Sequence, residues 1–335
     1  MQNIFKRKNI LITGGSGSLG HALIEKLLPL NPGKIVIYSR DDMKHVVTES
    51  KFNDNRLRFV VGDVRDYDRL STACRDIDII IHTASLKHVD KGEYNALEYK
   101  SVIVDGAETI IKVCMNNPKI TNVVALSTDK ASGAGVNLYG CAKALSDKLF
   151  ISANNMCSTK FSIIRYGNVI NSNGSIVKRI ETNKNNDDDF LKPINLTDDR
   201  MTRFWITLDY ASSLVLFLCS NMNGGEIFIP KLPSMKVRDF LSQRFPDKEF
   251  KIIGIRPGEK LHESMFLKCD CIYILEFNYF YIIYPNVIKH PKMFGELLGK
   301  KIEKEFEYNS VDNEWFVNED IESQLASIGG WVDLY

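Results

Sequence analysis

Short apolar runs alternate with longer stretches of helical periodicity along the first half of the chain. Each run is five or six residues long and almost continuously apolar, which is typical of strands that helices cover on both faces. The predicted strands are Asn9–Thr13, Lys34–Tyr38, Leu57–Val61, Ile77–His82, Asn122–Ser127 and Phe161–Tyr166. The predicted helices are Ser18–Leu28, Tyr67–Cys74, Leu97–Asn116 and Leu138–Asn154. Because such strands are joined by right-handed crossovers, the pattern predicts an α/β fold with a doubly wound parallel sheet.

The regular alternation ends after Tyr166. Turn residues and the polar run Asn183–Asp189 predict a surface loop. Ile206–Leu218 then predicts an amphipathic helix and Glu226–Ile229 a short strand. The later segments, punctuated by prolines, predict a smaller lobe that covers a ligand. The expected division is one domain of residues 1–167 with about 204–229, and a smaller C-terminal lobe and tail of about 168–203 with 230–335.

Charge and cysteine usage narrow the class of protein. The 335 residues carry 43 Lys and Arg against 42 Asp and Glu, a net charge of +1, so no overall field favours nucleic acid or an anionic membrane. The apolar runs, including Tyr273–Tyr284, are too short to span a bilayer, and Ile10–Ile12 is too short for a signal-peptide core. Seven cysteines without paired spacing favour reduced thiols and no metal site. We therefore expect a cytoplasmic protein.

A glycine-rich turn, Thr13–Gly20, lies between the first predicted strand and the first predicted helix. In this context Gly14 suits the tight turn, Gly17 allows backbone amides to approach a pyrophosphate, and Gly20 permits close packing of helix and strand. The neighbouring side chains of the same turn are expected to contact the ligand as well: Ser16, Ser18 and Leu19. The turn predicts a dinucleotide site, and the alternative is a purely structural turn.

The ends of the second and third strands bear on which dinucleotide binds. A 2′-phosphate suits a cation and small hydroxyl donors, which Ser39 and Arg40 supply, whereas a free 2′-hydroxyl usually meets a carboxylate such as Asp41. NADP is therefore favoured over NAD. Asp63, after the third strand, could accept from the adenine amino group or could instead cap the following helix.

A candidate acid–base pair opens the helix after the fifth strand. Tyr139 and Lys143 are four residues apart and therefore share one helix face. An ammonium beside a phenol lowers the phenol's pKa and lets it take a hydroxyl proton near neutrality. The strand before this helix ends in Ser127 and Thr128, followed by Asp129 and Lys130. Together these residues predict an oxidoreductive site.

At this point the sequence resembles the extended short-chain dehydrogenase/reductase superfamily with its Rossmann fold. Within it, the chain is most similar to the inverting UDP-N-acetylglucosamine 4,6-dehydratases of deoxyamino-sugar biosynthesis. The resemblance covers roughly residues 8–266, with weaker similarity to 317. The segments that carry it are TGGSGSLG, YSRDD, GDVRD, TASLKHV, VVALSTDKA, NLYGCAKALSDKLF, FSIIRYGNV, DDRMTRFWIT, GGEIFIPKLPSMK and IIGIRPGEKLHE.

The resemblance implies a mechanism. Tyr139, assisted by Lys143, takes the proton of the sugar 4-hydroxyl while hydride passes from carbon 4 to NADP. Lys130 then removes the acidified proton of carbon 5, and Asp129 protonates the departing 6-hydroxyl. Hydride returns to carbon 6, and a proton delivered to carbon 5 from the opposite face inverts it. A buried lysine loses pKa and can serve as such a base, although Lys130 could instead merely pair with Asp129.

Further ligand contacts are implied by the same resemblance. Val64, Ala84 and Asn168, together with Tyr139 and Lys143, join the residues expected to hold NADP. The substrate UDP-N-acetylglucosamine is expected to contact a second set: Lys87, Thr128, Arg203, Lys236, Arg256 and Glu259. Arg200 and Lys260 could equally be surface charges, and His88 and His262 are expected to be solvated or satisfied within the core. The resemblance also implies a homo-oligomer, with a hexamer possible.

Three positions depart from the family pattern. The loop Ser132–Val136 is one residue longer than usual and lacks a proline. Ile103 replaces an Asn that normally supports the Tyr–Lys pair, and Asn173 replaces an Arg. Alternatives therefore stay open: a retaining 4,6-dehydratase or a 4-epimerase on the same fold, or, in another class, a non-catalytic NADP-binding sensor.

Overall fold

The computed structural model describes residues 3–182, 193–287, 289–290, 292–314, 316–317 and 320–334. All six strands predicted in the first half are present, with ends shifted by no more than two residues. They are β1 Asn9–Thr13, β2 Lys34–Ser39, β3 Leu57–Val61, β4 Ile79–His82, β5 Asn122–Thr128 and β6 Lys160–Tyr166. The helices between them are α1 Ser18–Leu27, α2 Asp42–Phe52, α3 Tyr67–Ala73, α4 Val89–Tyr94, α5 Ala96–Lys100, α6 Gly106–Met115 and α7 Leu138–Ala153.

These strands form a parallel sheet in the order β3-β2-β1-β4-β5-β6. Strand β1 pairs in parallel with β2 on one side and with β4 on the other. The order in which strands are added to the sheet therefore reverses between β1 and β4, and the fold is doubly wound as predicted. The central strands are buried on both faces, which explains their continuous apolar runs. Nucleotides bind such sheets at the carboxyl ends of the strands, beside this reversal.

Two helical details differ from the prediction. The helix α2 was not predicted; Met43, Val46 and Val47 on it are exposed, so the segment lacks a clean apolar stripe, and the Asp41 side chain caps it by accepting from the Lys44 amide. The predicted helix Leu97–Asn116 is interrupted by a π-helical turn, Ser101–Asp105, between α5 and α6. A π turn of this kind is often found at functional sites.

The second half of the described chain contains short elements. Its helices are Ile176–Thr182, Leu208–Asn221, Val237–Arg244 and Ile321–Gly329. Its strands are Asn168–Val169, Ile194–Leu196, Thr202–Ile206, Ile227–Pro230, Ser234–Lys236, Phe250–Ile252, Ser264–Phe266, Ile274–Glu276, Phe280–Ile283, Met293–Phe294, Leu297–Leu298, Lys300–Lys301 and Tyr308–Asn309. The 3₁₀ turns among the described residues are Leu28–Leu30, Asp129–Ala131, Lys268–Tyr273 and Gly330–Leu334.

The helix Leu208–Asn221 differs from its prediction in both start and character. Thr207 caps it by accepting from the Tyr210 amide at 3.1 Å, so Ile206 belongs to the preceding strand. The helix is buried over most of its surface and is not a one-sided amphipathic helix, because it packs between α1 and the sheet. The predicted strand Glu226–Ile229 is present as Ile227–Pro230.

The main sheet continues into the C-terminal part of the chain. Ile227–Pro230 pairs in parallel with β6, and beyond it Phe280–Ile283, Ile274–Glu276 and Lys300–Lys301 add antiparallel strands. Part of the segment 230–335 therefore completes the sheet, and the division into domains by residue range stays a prediction. The polar run Asn183–Asp189 lies outside the described residues. Among the helices described, not one has the length and apolar character needed to cross a membrane.

Candidate active site

A large cleft joins the carboxyl edge of the sheet to the C-terminal lobe. Its volume is about 1170 Å³. Nearly all the site residues predicted from the sequence line it; Asp129 lies beneath its wall, and Lys236 is exposed and outside the lining. The lining members are Gly14, Ser16, Gly17, Ser18, Leu19, Gly20, Ser39, Arg40, Asp63, Val64, Ala84, Lys87, Thr128, Lys130, Tyr139, Lys143, Asn168, Arg203, Arg256 and Glu259. The two halves of the predicted site thus share one cleft.

The turn after β1 has the backbone form of a phosphate cradle. Gly14 has φ +67°, and a Cβ there would lie 2.9 Å from the Ala84 nitrogen. A Cβ on Gly20 would lie 2.1 Å from the Gly15 carbonyl oxygen, so only glycine lets α1 start this close to the strand. No side chain caps the first turn of α1. Its free amides therefore point toward the cleft and fit a pyrophosphate.

Polar groups of β2 lie where a dinucleotide would place its adenosine ribose. The Ser39 hydroxyl is 2.8 Å from the Ser16 hydroxyl. Arg40 is half-exposed, with its guanidinium 3.7 Å from the Asp63 carboxylate. The Asp41 carboxylate accepts from the Lys44 amide and pairs with its ammonium at 2.9 Å. Ser39, Arg40 and Asp41 all line the cleft, but the Asp41 carboxylate is already engaged as a helix cap.

Asp63 does not cap the helix that follows it. Asp66 is the cap of α3, because its carboxylate accepts from the Arg69 amide at 3.0 Å. Asp63 instead pairs with the Arg65 guanidinium at 2.7 Å, and this hydrogen bond, opposed by partial burial, lowers the pKa of Asp63. Of the two roles considered for Asp63, capping is thus wrong, and contact with adenine stays a prediction.

The centre of the cleft holds a cluster of buried charges around Lys130. The Lys130 Nζ lies 3.0 Å from Asp129 Oδ1, 3.2 Å from Glu263 Oε1 and 3.4 Å from Asn168 Oδ1. Asp129 is fully buried, and Glu263 is 2% exposed. The Thr128 hydroxyl donates to Asp129 at 2.8 Å. One oxygen of each carboxylate, Asp129 Oδ2 and Glu263 Oε2, has no hydrogen-bond partner among the described residues.

The protonation of Lys130 differs from the sequence expectation. Burial alone lowers the pKa of Lys130, but the adjacent Asp129 and Glu263 carboxylates outweigh it, so the pKa lies above its ordinary value. The expected lowering is wrong for the unliganded protein, because it took account of burial and not of a second carboxylate. The Lys130 Nζ is thus held between two carboxyl groups, and the pairing with Asp129 considered above is present.

Tyr139 and Lys143 stand on one face of α7 as predicted, with both side chains buried. Burial raises the pKa of Tyr139 to about 12, while the Lys130 ammonium and a hydrogen bond with Thr128 act in the opposite direction. Burial lowers the pKa of Lys143, whose ammonium donates to the Leu126 carbonyl. The Lys130 ammonium thus acts on the phenol's pKa, and the predicted assistance from Lys143 stays a prediction.

The predicted substrate residues lie at the far side of the cleft. Arg203 is buried and donates to the carbonyls of Leu261 at 3.0 Å and Lys260 at 2.9 Å. The Arg256 guanidinium pairs with the Glu259 carboxylate, a hydrogen bond that raises the pKa of Arg256. Lys87 and Arg256 are at the cleft wall. Their contacts with a substrate stay predictions.

Glu263 is the member of the charge cluster that the sequence analysis missed. It ends the segment IIGIRPGEKLHE, which was noted for its resemblance but yielded no role for this residue. Its backbone is held by Ser310, since the Glu263 amide donates to the Ser310 hydroxyl at 3.0 Å and the Ser310 amide donates back at 2.8 Å. A carboxylate brought to Lys130 from another lobe leaves no local signal in the sequence.

The three departures from the family pattern all lie near the cleft. Ile103 sits in the π-helical turn and packs with Tyr139 in a small apolar cluster. The loop that begins at Ser132 is held by Lys260, whose ammonium donates to the Ser132 and Gly133 carbonyls at 3.2 Å each. The Asn173 amide donates to the Ser18 hydroxyl at 2.9 Å, so the turn that contains Asn173 contacts the phosphate cradle.

The four residues that the sequence did not favour as ligand contacts lie in different surroundings. Arg200 is 69% exposed and pairs with Asp198 at 2.8 Å, as expected for a surface charge. Lys260 instead holds the loop carbonyls described above. His262 Nδ1 lies 2.8 Å from the Thr202 hydroxyl, as expected for a satisfied imidazole. His88 lines the cleft, and burial lowers its pKa.

Comparisons with known proteins agree with this geometry. Residues 10–285 match a family of polysaccharide biosynthesis proteins. A UDP-N-acetylglucosamine 4,6-dehydratase (inverting) from Campylobacter jejuni strain 81-176 is 44% identical over 330 residues, which cover 94% of this chain and 96% of that protein. A UDP-glucose 4-epimerase from Rickettsia akari is 35% identical over 273 residues, 78% of each chain.

A solved structure is similar along almost the whole chain. The X-ray structure of Pen from Bacillus thuringiensis superposes with a TM-score of 0.85 at 28% sequence identity. The match covers 98% of this chain and 99% of that one. The extent of this match includes the C-terminal lobe as well as the nucleotide-binding sheet.

Proposed function

The chain belongs to the polysaccharide biosynthesis protein family, and from this premise we propose that it is a UDP-N-acetylglucosamine 4,6-dehydratase that inverts carbon 5. The observation that carries the proposal is the buried Lys130–Asp129 pair beside Tyr139 in a cleft that also contains a dinucleotide cradle. A 4-epimerase needs the phenol and the cradle but has no elimination to catalyse. A paired acid and base at carbon 5 and carbon 6 suits a dehydratase.

The cofactor that fits the cradle is NADP. When bound, it accepts hydride from sugar carbon 4 and returns hydride to carbon 6. Gly14, Gly17 and Gly20 leave room for its pyrophosphate, and Ser39 and Arg40 suit a 2′-phosphate. Asp41, the carboxylate that would favour a free 2′-hydroxyl, is engaged in capping α2.

Tyr139 is the group that takes the proton of the sugar 4-hydroxyl. The phenol lines the cleft at the start of α7. Its high pKa in the unliganded protein comes from burial, and the neighbours that favour its anion are Lys130 and Thr128. Once carbon 4 is a ketone, the carbon 5 hydrogen becomes acidic and the elimination can begin.

The ion pair of Lys130 and Asp129 supplies both the base and the acid of the elimination after one proton transfer. Movement of a proton across the 3.0 Å between them yields a neutral amine and a carboxylic acid without a change in net charge. The neutral Lys130 amine takes the carbon 5 proton, and the Asp129 acid gives its proton to the departing 6-hydroxyl, which leaves as water. The proton arrives on Asp129 Oδ1, the oxygen that faces Lys130, while Asp129 Oδ2 has no hydrogen-bond partner among the described residues.

The test is the product formed from UDP-N-acetylglucosamine in deuterated water. The proposal expects a 4-keto-6-deoxy sugar of L configuration with deuterium at carbon 5, identified by nuclear magnetic resonance. A D-configured keto sugar would indicate a retaining dehydratase. A galacto epimer that keeps its 6-hydroxyl would instead place the chain with the epimerases and contradict the proposal. Bound NADP with no turnover of any UDP-sugar would leave the sensor alternative.

A further inference from the structure

Three side chains form a hydrogen-bonded line behind the ribose end of the cradle. The Ser16 and Ser39 hydroxyls are 2.8 Å apart, and the Ser39 hydroxyl is 2.6 Å from His45 Nε2. Ser16 and Ser39 line the cleft, and His45 lies behind them on α2. His45 is 5% exposed, so the line runs from the cleft into the protein.

The groups that act on the His45 ring are one aromatic side chain and two carboxylates. The ring packs against Phe59 of β3, with centroids 5.5 Å apart. The charged groups that act on it are Asp41 and Asp42 at the start of α2, and both favour the protonated ring. Burial outweighs them and lowers the pKa of His45, which favours the neutral ring near pH 7.

We propose that His45 is a positioning residue for the 2′-phosphate of NADP, which it serves by holding the Ser39 hydroxyl as a hydrogen-bond donor toward the cleft. The inference rests on the NADP preference in the proposed function and extends it to a residue that does not touch the cofactor. The geometry that carries it is the line Ser16–Ser39–His45 at the strand end where a 2′-phosphate would lie.

The physical reason is that a hydroxyl has one proton to give. When His45 Nε2 carries a hydrogen and the Ser16 hydroxyl also donates, Ser39 Oγ accepts from both, and the Ser39 proton is then free for an acceptor in the cleft. A phosphate accepts such a bond strongly because it is charged. If Ser39 donated to His45 instead, its oxygen would face the phosphate without a proton. A phosphate dianion also favours the protonated ring, which can only donate.

A pH dependence follows, with a definite sign. Binding of NADP favours protonated His45, so binding takes up a proton between the pKa of the free protein and the higher pKa of the complex. Affinity for NADP therefore falls as pH rises through this interval, whereas affinity for NAD, which lacks the phosphate, stays constant. The 2′-phosphate itself titrates near pH 6, and a variant without the imidazole separates the two contributions.

The experiment measures Kd for NADP and for NAD by fluorescence titration of the purified, cofactor-depleted protein between pH 6 and 9. For His45→Leu we expect about tenfold weaker NADP binding, the size of a lost hydrogen bond to a charged group, and an NAD affinity within about twofold of wild type. His45→Gln retains a donor, so it should restore most of the NADP affinity while abolishing the part of the pH dependence due to His45.

His21→Gln is the matched control. His21 Nε2, on α1, makes a similar contact, 2.9 Å from the Thr48 hydroxyl of α2, and His21 does not line the cleft. It should leave both Kd values unchanged. Thermal unfolding of each variant identifies any general loss of stability, and His45→Gln keeps the test open if His45→Leu does not fold.

The outcomes separate this inference from the proposed function. Equal weakening of NADP and NAD in His45→Leu, or an unchanged NADP to NAD ratio in both variants, would overturn the role of His45 while the dehydratase proposal stands. A wild-type protein that binds NAD as tightly as NADP would overturn the NADP assignment and this inference together. The product analysis described above decides the dehydratase reaction independently of either result.

Discussion

The cofactor end and the catalytic end of the cleft are built in opposite ways. The cradle comes from one continuous stretch, β1 through the strand end at Ser39, and its shape depends on backbone sterics at Gly14 and Gly20. The catalytic end joins Lys130 after β5 with Glu263 from the C-terminal lobe, and its properties depend on buried charge. The first end is thus local and steric, and the second is long-range and electrostatic.

This difference determines how each end responds to change. A steric site fails when an atom is added, and it fails for every ligand that needs the cradle. An electrostatic site fails when a proton or a charge is removed, and the cofactor can still bind. Variants that separate binding from turnover therefore test whether the two ends are independent, although they share one cleft of about 1170 Å³.

The largest effect is expected from Tyr139→Phe. Removal of the phenol hydroxyl removes the group that takes the sugar proton, and positioned acid–base groups contribute roughly 10²–10⁴-fold to rate. We expect kcat for formation of the keto sugar to fall by about 10³-fold. The Kd for NADP should change by less than about twofold. Kinetics by product chromatography and cofactor titration measure both.

The matched control for this variant is Tyr67→Phe, since the Tyr67 hydroxyl lies at the surface and accepts from Asn116. It should leave kcat unchanged. Turnover of Tyr139→Phe near the wild-type rate would contradict the role given to the phenol.

A smaller effect, confined to the other end, is expected from Gly20→Ala. The added Cβ would meet the Gly15 carbonyl oxygen at 2.1 Å, so the turn must shift, at a cost of about 1–3 kcal/mol typical of overpacking. We expect NADP affinity to fall about tenfold or more, with a lower unfolding temperature. With saturating NADP, kcat should recover to near the wild-type value.

Gly330→Ala is the control, because a Cβ there has no heavy atom within 4 Å. It should alter neither cofactor affinity nor stability appreciably. If Gly20→Ala bound NADP as tightly as Gly330→Ala, the steric account of the cradle would be wrong.

A third effect concerns the pH at which kcat falls on the alkaline side of its pH profile. Glu263 and Asp129 raise the pKa of Lys130, and the ion pair must keep one shared proton to act as acid and base. Loss of that proton at high pH should therefore stop the reaction. In Glu263→Gln one carboxylate is removed, the pKa of Lys130 falls, and the alkaline limb of kcat should move to lower pH.

The control for Glu263→Gln is the same substitution at Glu276, which pairs with Lys231 at 2.6 Å outside the cleft lining. It should not move the limb. A limb that stays in place in Glu263→Gln, or that moves to higher pH, would show that Glu263 does not set the protonation of Lys130.

The same contrast explains what the sequence could predict. The strands β1–β6, the glycine turn and the Tyr–Lys helix were predicted because their signals are local, as apolar runs, glycines and a four-residue spacing. The helix α2 was missed because its exposed Met43, Val46 and Val47 obscure the apolar stripe. The C-terminal strands that extend the main sheet are only two to four residues long, too short for periodicity to identify them.

The electrostatics of the catalytic end could not be predicted for a related reason. The mechanism implied by the resemblance takes Lys130 to be buried, and burial alone lowers a lysine pKa. The actual direction depends on Glu263, whose distance from Lys130 is set by the packing of the C-terminal lobe, with Ser310 holding its backbone. Only the assembled fold contains that information.

The smallest effect is expected from Arg200→Gln, and it tests how far the electrostatic end extends. Arg200 and Arg203 lie three residues apart and both resemble phosphate ligands in the sequence, but Arg200 is 69% exposed and pairs with Asp198, whereas Arg203 is buried at the cleft. Exposed ion pairs contribute roughly 0–1 kcal/mol. Steady-state kinetics should therefore show a KM for UDP-N-acetylglucosamine within about twofold of wild type in Arg200→Gln. The KM should be clearly higher in Arg203→Gln, because Arg203 lines the cleft and also donates to the carbonyls of Lys260 and Leu261. Equal increases in both variants would mean that the substrate end reaches the surface at Arg200, and that burial does not mark its boundary.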